Sequence, residues 1–542
     1  MSTPPNIVVP ENYTLHQENS AYLLLPSEKG AFLNTIQEFN RDLSVACIKT
    51  WGERSNREKL ARFQSNQSKG KAPAKKKRRL MFRPFRFTVL EPLSATGLRA
   101  IRYCKEIPLV KQVIANDLSK DATIAMKRNV EINGLTPPDE IPDAEDASSK
   151  AEKRNSTVRV NHGDASALMY TIKAQKKPIH VIDLDPYGTA SPFIDAAVQT
   201  ISDDGLLCIT CTDLAVLAGT NYPEKCFANY GGTPMKGEYC HEGALRLLLG
   251  AVASSAARYG RSITPLLSLS IDFYIRVFVQ VRSSPVEVKK LSSKMAVYYT
   301  CTFCQNWYEQ PLGRIMEKVS EGSGHVNLLY RTAPGPTTES HCEQCGTVLH
   351  VAGPMWSSSI HDKPFVQEVL ELVNTSPEAF GTHVRMQGML TVASEELDVP
   401  FYFTPSKIAN AFHSEAPPLI ETASALLNAG HQVSRSHALA GSLKTTATRA
   451  ELNDLLRSWI KLHPVKMANI KPGSPSLKLL EKEPSVVSDF KKHPDALRSP
   501  HTKLVRYQTN PTANWGPASR AGKRKPGQDK TEDQGDEEEM GN

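Results

Sequence analysis

Between residues 85 and 213 short apolar, β-branched runs alternate with segments of helical periodicity, and no other feature restricts the fold of this chain as strongly. FRFTVLEPL (85–93) and KQVIANDL (111–118) flank the helical LRAIRYCKEI (98–107). After Asp117 comes SKDATIAMKRNVEINGL, in which Ile124, Val130 and their neighbours suit an amphipathic helix closed by Asn133-Gly134. STVRVNHGDA (156–165), PIHVIDLDPYG (178–188) and GLLCITCTD (205–213) supply three further strands, with FIDAAVQTI as the helix after Tyr187. This alternation implies an α/β domain with a parallel sheet covered on both faces. Ligands of such sheets sit at the carboxyl ends of the strands.

Three stretches of the chain depart from this pattern, one within it and two outside it. Residues 64–80, QSNQSKGKAPAKKKRRL, contain Lys75, Lys76, Lys77, Arg78 and Arg79 in one run. Such a run cannot pack and is expected to be an exposed loop: a linker, a nuclear-import signal or an RNA-touching patch. The acidic, proline-rich TPPDEIPDAEDASSKAEKRNS (136–156) reads as an insertion, expected to be disordered, and the low-complexity 508–542 as a disordered tail. At 542 residues the chain is too long for one core, so two or three domains are expected. The net charge of +8 leans towards a polyanionic partner. There is no apolar run of about eighteen residues, and the N-terminus has neither the signal-peptide pattern nor an arginine before Arg41. The expected setting is intracellular and away from membranes, where ten cysteines are thiols or metal ligands and not disulfides.

Four acidic residues fall at the expected strand ends: Glu91, Asp117, Asp164 and Asp185. One such aspartate is ordinarily a helix cap or turn former; four in register suggest a ligand site. Glu91 leads into SATGLR, where Gly97 allows close backbone approach. Asp117 can accept the two hydroxyls of a ribose, and Asp164 an adenine amine. NAD and S-adenosylmethionine share that ribose device, but the turn is not G-x-G-x-x-G. The fourth strand separates them. In Asp185-Pro186-Tyr187-Gly188 the carboxylate and the proline carbonyl can each accept one N–H of an exocyclic amine while the tyrosine ring stacks on the base. A nucleobase amine is a poor nucleophile because its lone pair is delocalised, and two acceptors would turn that pair towards a methyl sulfonium.

Cys301-Thr-Phe-Cys304 and Cys342-Glu-Gln-Cys345, 37 residues apart, are two C-x-x-C knuckles that together offer four ligands to a tetrahedral Zn2+. His341 and His350 read as bystanders, and the other six cysteines as small core residues. Thr448 and Glu451 form a capping box ahead of the core stripe Leu452, Leu455, Leu456, Trp459 and Ile460. The preceding SRSHALAGSLKTTATR reads equally as a phosphate contact or a polar surface.

In this order, GAFLNTIQEFNRDLSVA (30–46), SATGLRAIRY, ANDLSKDA, NHGDAS, IDLDPYGTASPFIDAA, CTDLAVLAG and GGTPMKGEYCHEGALRLLLG (231–250) resemble the tRNA (guanine-26-N2)-dimethyltransferase family. The resemblance implies a Rossmann-like class I S-adenosylmethionine-dependent methyltransferase domain, and a smaller α+β C-terminal domain that helps to hold tRNA and here carries the cysteine site. It implies that Arg41 and Arg99 bind the methionine portion of the cofactor, Asp117 the ribose, and Asp164 with Ala165 the adenine. Asp185 corresponds to the catalytic acid, with Pro186 and Tyr187 beside it; some relatives keep a phenylalanine ring at the last position. Basic runs accompany nuclear import in eukaryotic members, with a mitochondrial pool. The expected division is 1–63 contributing to the cofactor site, the loop 64–80, a methyltransferase core 81–285, a tRNA-binding domain 286–470 and the tail. Two other readings stay open: an adenine-N6 RNA methyltransferase, and a zinc-stabilised RNA-binding protein with an inactive methyltransferase fold.

Overall fold

The computed structural model describes residues 7–27, 34–68, 82–137, 156–320, 322 and 324–497. The Lys/Arg run 75–79, residues 138–155 of the acidic insertion and the 508–542 tail lie outside the described residues. A hairpin, β1 (Tyr13–Glu18) and β2 (Ala21–Pro26), precedes the long helix α1 (Glu38–Ser68). That helix continues to Ser68, so the first residues of the expected 64–80 loop are helical.

The alternating segment folds as expected: β3 (Phe87–Glu91), α2 (Leu98–Glu106), β4 (Val110–Asp117), α3 (Lys120–Ile132), β5 (Thr157–His162), α4 (Ala165–Ala174), β6 (Ile179–Leu184), α5 (Ser191–Thr200) and β7 (Ile201–Cys211). The short α6 (Leu214–Leu217), α7 (Pro223–Tyr230) and α8 (Cys240–Ala257) lead to β8 (Arg261–Ile271) and β9 (Tyr274–Ser283). The strands form one seven-stranded sheet in the order β5-β4-β3-β6-β7-β9-β8. All neighbours are parallel from β5 to β7, and β9 runs antiparallel to both β7 and β8. The chain moves outward from β3 through β4 to β5 and then returns to the other side of β3 as β6. This reversal opens a crevice at the carboxyl ends of β3, β4 and β6.

Both faces of the sheet are buried, which is why its strands read as continuous apolar runs. One face, with Val89, Val113, Val181 and Phe278, packs against α1, α2 and α3. On α3 the buried stripe is Thr123, Met126, Asn129 and Val130, whereas Ile124 is 54% exposed. The expectation for Ile124 is thereby corrected: it stands about 100° around the helix from Thr123 and faces water. The other face, with Leu90, Ile182, Leu207 and Val277, packs on α5 and α8.

After α9 (Pro285–Val288), β10 (Met295–Cys301), β11 (Trp307–Pro311) and β14 (Leu349–Trp356) make a three-stranded antiparallel sheet. The excursion between the two cysteine knuckles contains a separate hairpin, β12 (Gly313–Val319) with β13 (Val326–Thr332), whose side chains are largely exposed. Its feet meet where the Ala333 N–H donates to the Leu312 carbonyl at 3.2 Å. Next come α10 (Lys363–Thr375), α11 (His383–Glu395), α12 (Pro405–Ala411), α13 (Leu419–Asn428), β15 (Val433–Arg435), β16 (Leu443–Thr445), α14 (Arg449–Leu462) and α15 (Pro475–Leu480). Thr448 and Glu451 form the expected capping box of α14. Arg457 of that helix donates to the Leu479 carbonyl at 2.9 Å, so ordered structure continues past the expected limit at 470.

The expected boundary at 285/286 divides the sequence but not the core. Phe365, Val369, Met386 and Leu390 of α10 and α11 share the first-face core with α1 and α2, completing that layer. A buried polar cluster holds the two parts together. Glu242 pairs with Arg246 at 2.8 Å and Lys444 at 3.1 Å, and Lys444 also pairs with Glu396 at 3.0 Å. His437 Nδ1 lies 2.6 Å from Glu396, while its Nε2 accepts the Ser270 N–H at 3.2 Å. The stretch SRSHALAGSLKTTATR is therefore neither surface nor phosphate contact at its centre: Ser434, Ser436, His437, Ser442 and Lys444 are buried. His361, Glu396 and His437 converge closely enough to suggest a cation site. However, His361 Nδ1 accepts the Ser268 N–H, just as His437 Nε2 accepts that of Ser270. Each ring then carries its proton on the side facing Glu396, where a cation would need a lone pair.

Candidate active site

The crevice at the sheet's switch point is a cleft with a cavity volume of about 380 Å3, a size suited to a small organic ligand. Arg41, Arg99, Asp117, Asp164, Ala165, Asp185, Pro186 and Tyr187 all line it. Five different loops or elements bring them there. The N-terminal segment also contributes Asn34 and Gln37, which the sequence reading did not select.

The turn after β3 is shaped by β4. Asp117 Oδ2 accepts the Ala95 N–H at 2.9 Å, and its Oδ1 accepts that of Ser119 at 2.8 Å. Gly97 begins α2 with φ +80°, and an added Cβ would stand 2.7 Å from Met126 Cγ, so both conformation and proximity of α3 call for glycine. Asn116, fully buried, donates to the carbonyls of Pro92 and Gly163, each at 2.9 Å, stitching three strand-end loops together. Asp164 is the N-cap of α4, accepting the Ala167 N–H at 2.8 Å. Both aspartates thus serve as turn formers and cleft walls at once.

Asp185 follows the last residue of β6 and is 16% exposed. Its carboxylate accepts from Arg99 Nη2. Arg99 also donates to Ser44 Oγ at 3.0 Å and lies 3.6 Å from Glu91 and 3.7 Å from Asp183. Burial pushes the Glu91 carboxyl up to about 8 despite Arg99, and Ser94 Oγ donates to it at 2.7 Å. Burial would raise Asp183 as well, but Arg276 and Arg99 outweigh it and hold that carboxyl below the usual range. Arg276 contacts the two oxygens of Asp183 at 2.7 and 3.0 Å. Tyr187 is 48% exposed at the mouth, its phenol pushed up to about 12 by burial of the oxygen and by Asp185.

Arg41 is fixed from behind. Glu18 of β1 accepts from its Nε at 2.6 Å and Nη2 at 2.5 Å, and Asn34 O accepts from Nη1 at 3.1 Å. Three of its five N–H donors are thus committed, and two are left for a ligand. Glu18 also accepts from Arg102 at 2.8 Å, and Arg102 reaches Asp42 at 2.5 Å. Burial would raise Glu18, yet the hydrogen bonds and charge of Arg41 and Arg102 hold it below the normal range. Asp42 in turn accepts the N–H and hydroxyl of Thr382, at 2.8 and 2.7 Å, from the turn before α11. Chemically, the cleft offers two guanidinium groups to a carboxylate and several carboxylates to amines, hydroxyls or a positive centre.

The second candidate site is the cysteine cluster. The four Sγ atoms of Cys301, Cys304, Cys342 and Cys345 lie within 4.8 Å of one another and are buried. Cys301 and Cys345, and Cys304 and Cys342, approach to 3.5 Å, too far for disulfides. A tetrahedral Zn2+ with Zn–S near 2.3 Å sets its sulfurs about 3.8 Å apart, so the donor set fits that ion. Gly346, at φ +75°, closes one knuckle with its N–H donating to the Cys342 carbonyl at 2.7 Å. His341 and His350 take no part in the cluster. Of the other cysteines, Cys47, Cys104, Cys208, Cys211 and Cys226 are buried, and Cys240 is half-buried.

A family model described as N2,N2-dimethylguanosine tRNA methyltransferase matches residues 10–457. The chain is 44% identical over 532 residues to the tRNA (guanine(26)-N(2))-dimethyltransferase of Schizosaccharomyces pombe, spanning 94% of this chain and 92% of that protein. It is 40% identical over 558 residues to the mitochondrial tRNA (guanine(26)-N(2))-dimethyltransferase of Saccharomyces cerevisiae, with 94% and 92% coverage. Among solved structures, Trm1 from Pyrococcus horikoshii in complex with S-adenosyl-L-methionine aligns with a TM-score of 0.59 at 26% identity, covering 80% of this chain and 97% of that one. With a family-model match over most of its length and relatives at 40–44% identity, the chain belongs to the N2,N2-dimethylguanosine tRNA methyltransferase family.

Proposed function

We propose that this protein transfers methyl groups from S-adenosyl-L-methionine to the N2 amine of guanine 26 in tRNA, twice on the same nitrogen. The observation that carries the reading is the convergence of all eight expected residues on one cleft, with Asp185 beside Arg99. The cofactor supplies an electrophilic methyl group on a sulfonium. Arg41 and Arg99 bind its methionine carboxylate, Asp117 the ribose hydroxyls, and Asp164 with Ala165 the adenine edge. Asp185 and the Pro186 carbonyl each accept one N–H of the guanine amine, and the Tyr187 ring covers the base. The two acceptors draw the amine's lone pair out of the ring and aim it, an effect of position and electrostatics together. The Asp185 carboxylate takes the proton that the alkylated nitrogen sheds. After the first transfer one N–H remains, so the second cycle places a methyl group where the other N–H had been.

Four cysteine thiolates hold a structural Zn2+ in this reading, and the C-terminal part, from about 286 onward, helps to hold tRNA. The basic run 75–79 directs the protein to the nucleus, and the mitochondrial designation of the Saccharomyces relative supports a second pool there. Among the described residues no helix is long and apolar enough to cross a membrane. The names of the relatives favour guanine N2 over adenine N6, and an active enzyme over an inactive fold.

Incubation of unmodified tRNA with protein and cofactor, followed by nucleoside mass spectrometry, tests the proposal. N2,N2-dimethylguanosine is expected from tRNA with guanosine at position 26 and none from tRNA with adenosine there. N6-methyladenosine, or no methylated product, would refute it.

A further inference from the structure

We infer that Thr212 is a positioning residue for the Asp185-Pro186-Tyr187 turn, acting through a two-bond grip on Gly188. The inference rests on the methyltransferase reading above and assigns a role within that site. The Asp185 side chain accepts from Arg99 Nη2. Pro186 has no N–H to anchor it, and Tyr187 stands at the mouth of the cleft, 48% exposed. The aim of the Pro186 carbonyl and the Asp185 backbone is set also by the chain on either side of the turn. Upstream lies the last β6–β7 pair, Leu184 with Ile209. Downstream lies Gly188.

Gly188 has φ +82°. Its N–H donates to Thr212 Oγ1 at 2.8 Å, and its carbonyl accepts the Thr212 N–H at 2.9 Å. Thr212 follows the end of β7 and itself lines the cleft, so the grip sits beside the reacting groups. The next residues are held by α7. Thr189 Oγ1 lies 2.7 Å from the Tyr230 hydroxyl, which lies 2.9 and 3.0 Å from the two oxygens of Asp213. The tyrosine can donate to Asp213 only if it accepts from Thr189, which gives this chain of bonds one direction. Ser191 Oγ donates to the Asn229 carbonyl at 2.6 Å.

The two halves of the Gly188 grip differ in what they require. The backbone bond survives any substitution at 212 other than proline, whereas the bond from the Gly188 N–H needs a hydroxyl. Valine has the shape of threonine without that acceptor and leaves the N–H unpaired; serine keeps it. The cofactor-facing groups Arg41, Asp117 and Asp164 lie on α1, at the end of β4 and at the start of α4, and Arg99 on α2, which touches Asp185, is held as well by Ser44 Oγ at 3.0 Å, so loosening this turn affects the rate and largely spares cofactor binding.

The test compares wild type, Thr212→Val and Thr212→Ser in steady-state tRNA methylation and in calorimetric binding of S-adenosylhomocysteine. Displacement of reacting groups by an ångström costs up to about a hundredfold in rate, so T212V is expected to lose roughly ten- to a hundredfold in kcat. KM for tRNA and the Kd for S-adenosylhomocysteine should stay within about twofold, and T212S should recover most of the loss. If T212V does not fold, Tyr230→Phe, which removes the oxygen that holds Thr189, carries the same expectation against a serine-like control, Thr189→Ser. Near-wild-type kcat in T212V, equal impairment of T212S, or a parallel loss of cofactor affinity would each overturn the inference. Wild-type protein that binds cofactor but leaves tRNA unmethylated would overturn the functional reading together with it.

Discussion

Replacing Asp185 with asparagine probes the centre of the mechanism with the least steric change. The amide keeps the volume of the side chain and removes its charge, presenting one acceptor oxygen where there were two. Arg99 would lose its closest partner but would still hold Ser44 Oγ at 3.0 Å, with Glu91 at 3.6 Å and Asp183 at 3.7 Å. The guanidinium therefore stays in place, with one carboxylate fewer competing for it. Loss of one preorganised contact to the reacting centre typically costs about 3–4 kcal/mol, or roughly 10²–10³ in rate. Cofactor affinity should change by less than tenfold, about 1.4 kcal/mol, and towards tighter binding. The two effects separate in a single-turnover measurement of labelled methyl transfer with enzyme in excess, paired with calorimetric binding of S-adenosylhomocysteine. A D185N protein that transfers methyl at the wild-type rate once saturated, yet binds cofactor more than tenfold more weakly, would show that Asp185 is a cofactor ligand and not the amine acceptor.

Three further outcomes follow from the geometry. Glu18→Gln should loosen Arg41 and weaken S-adenosylhomocysteine binding by roughly ten- to a hundredfold, since hydrogen bonds to charged groups contribute about 1.5–3 kcal/mol and about 1.4 kcal/mol is tenfold; an unchanged Kd in calorimetry would dissociate the hairpin from the cofactor site. Elemental analysis should find about one zinc per chain in the wild type, and Cys301→Ser should be metal-depleted with a melting temperature lowered by several degrees or loss from the soluble fraction, while a stable, active, metal-free variant would refute the zinc site. The raised carboxyl of Glu91 gives cofactor-free protein a contribution to stability that is fully present below its unfolded value of 4.5 and is lost as pH rises through about 8. Glu91→Gln should accordingly flatten the decline in melting temperature between those pH values, and an identical slope in both proteins would exclude Glu91 as its source.

The parallel core and the location of the site were legible because both are written in local pattern. Alternating apolar runs and helical stretches specify a parallel sheet, and an acid at the end of each strand falls in the crevice whatever its partners are. What local pattern could not disclose is the charge pairing behind those acids. Asp183, two residues before Asp185, reads as part of an apolar strand; its partner Arg276 lies 93 positions further on. Glu18, Arg41 and Arg102 meet from three separate segments. Ile124 was misplaced because an apolar residue one position from a buried stripe looks the same in sequence as a member of it. Lys444 and His437 look like surface chemistry in a Ser/Thr-rich stretch until Glu396 and Glu242 appear opposite them. The role of α10 and α11 in covering the sheet was likewise hidden, because helix periodicity says which side is apolar and not which surface receives it.

The hairpin of β12 and β13 enters and leaves the body at adjacent points, Leu312 and Ala333. A protrusion whose two feet meet can lengthen, shrink or be exchanged at its tip without altering the spacing of anything beneath it, because loop-closure entropy changes only slowly with length. That makes this excursion a natural place for sequence drift among relatives. It is equally a convenient position at which to splice an affinity handle or a fluorescent reporter while leaving the cysteine knuckles in register.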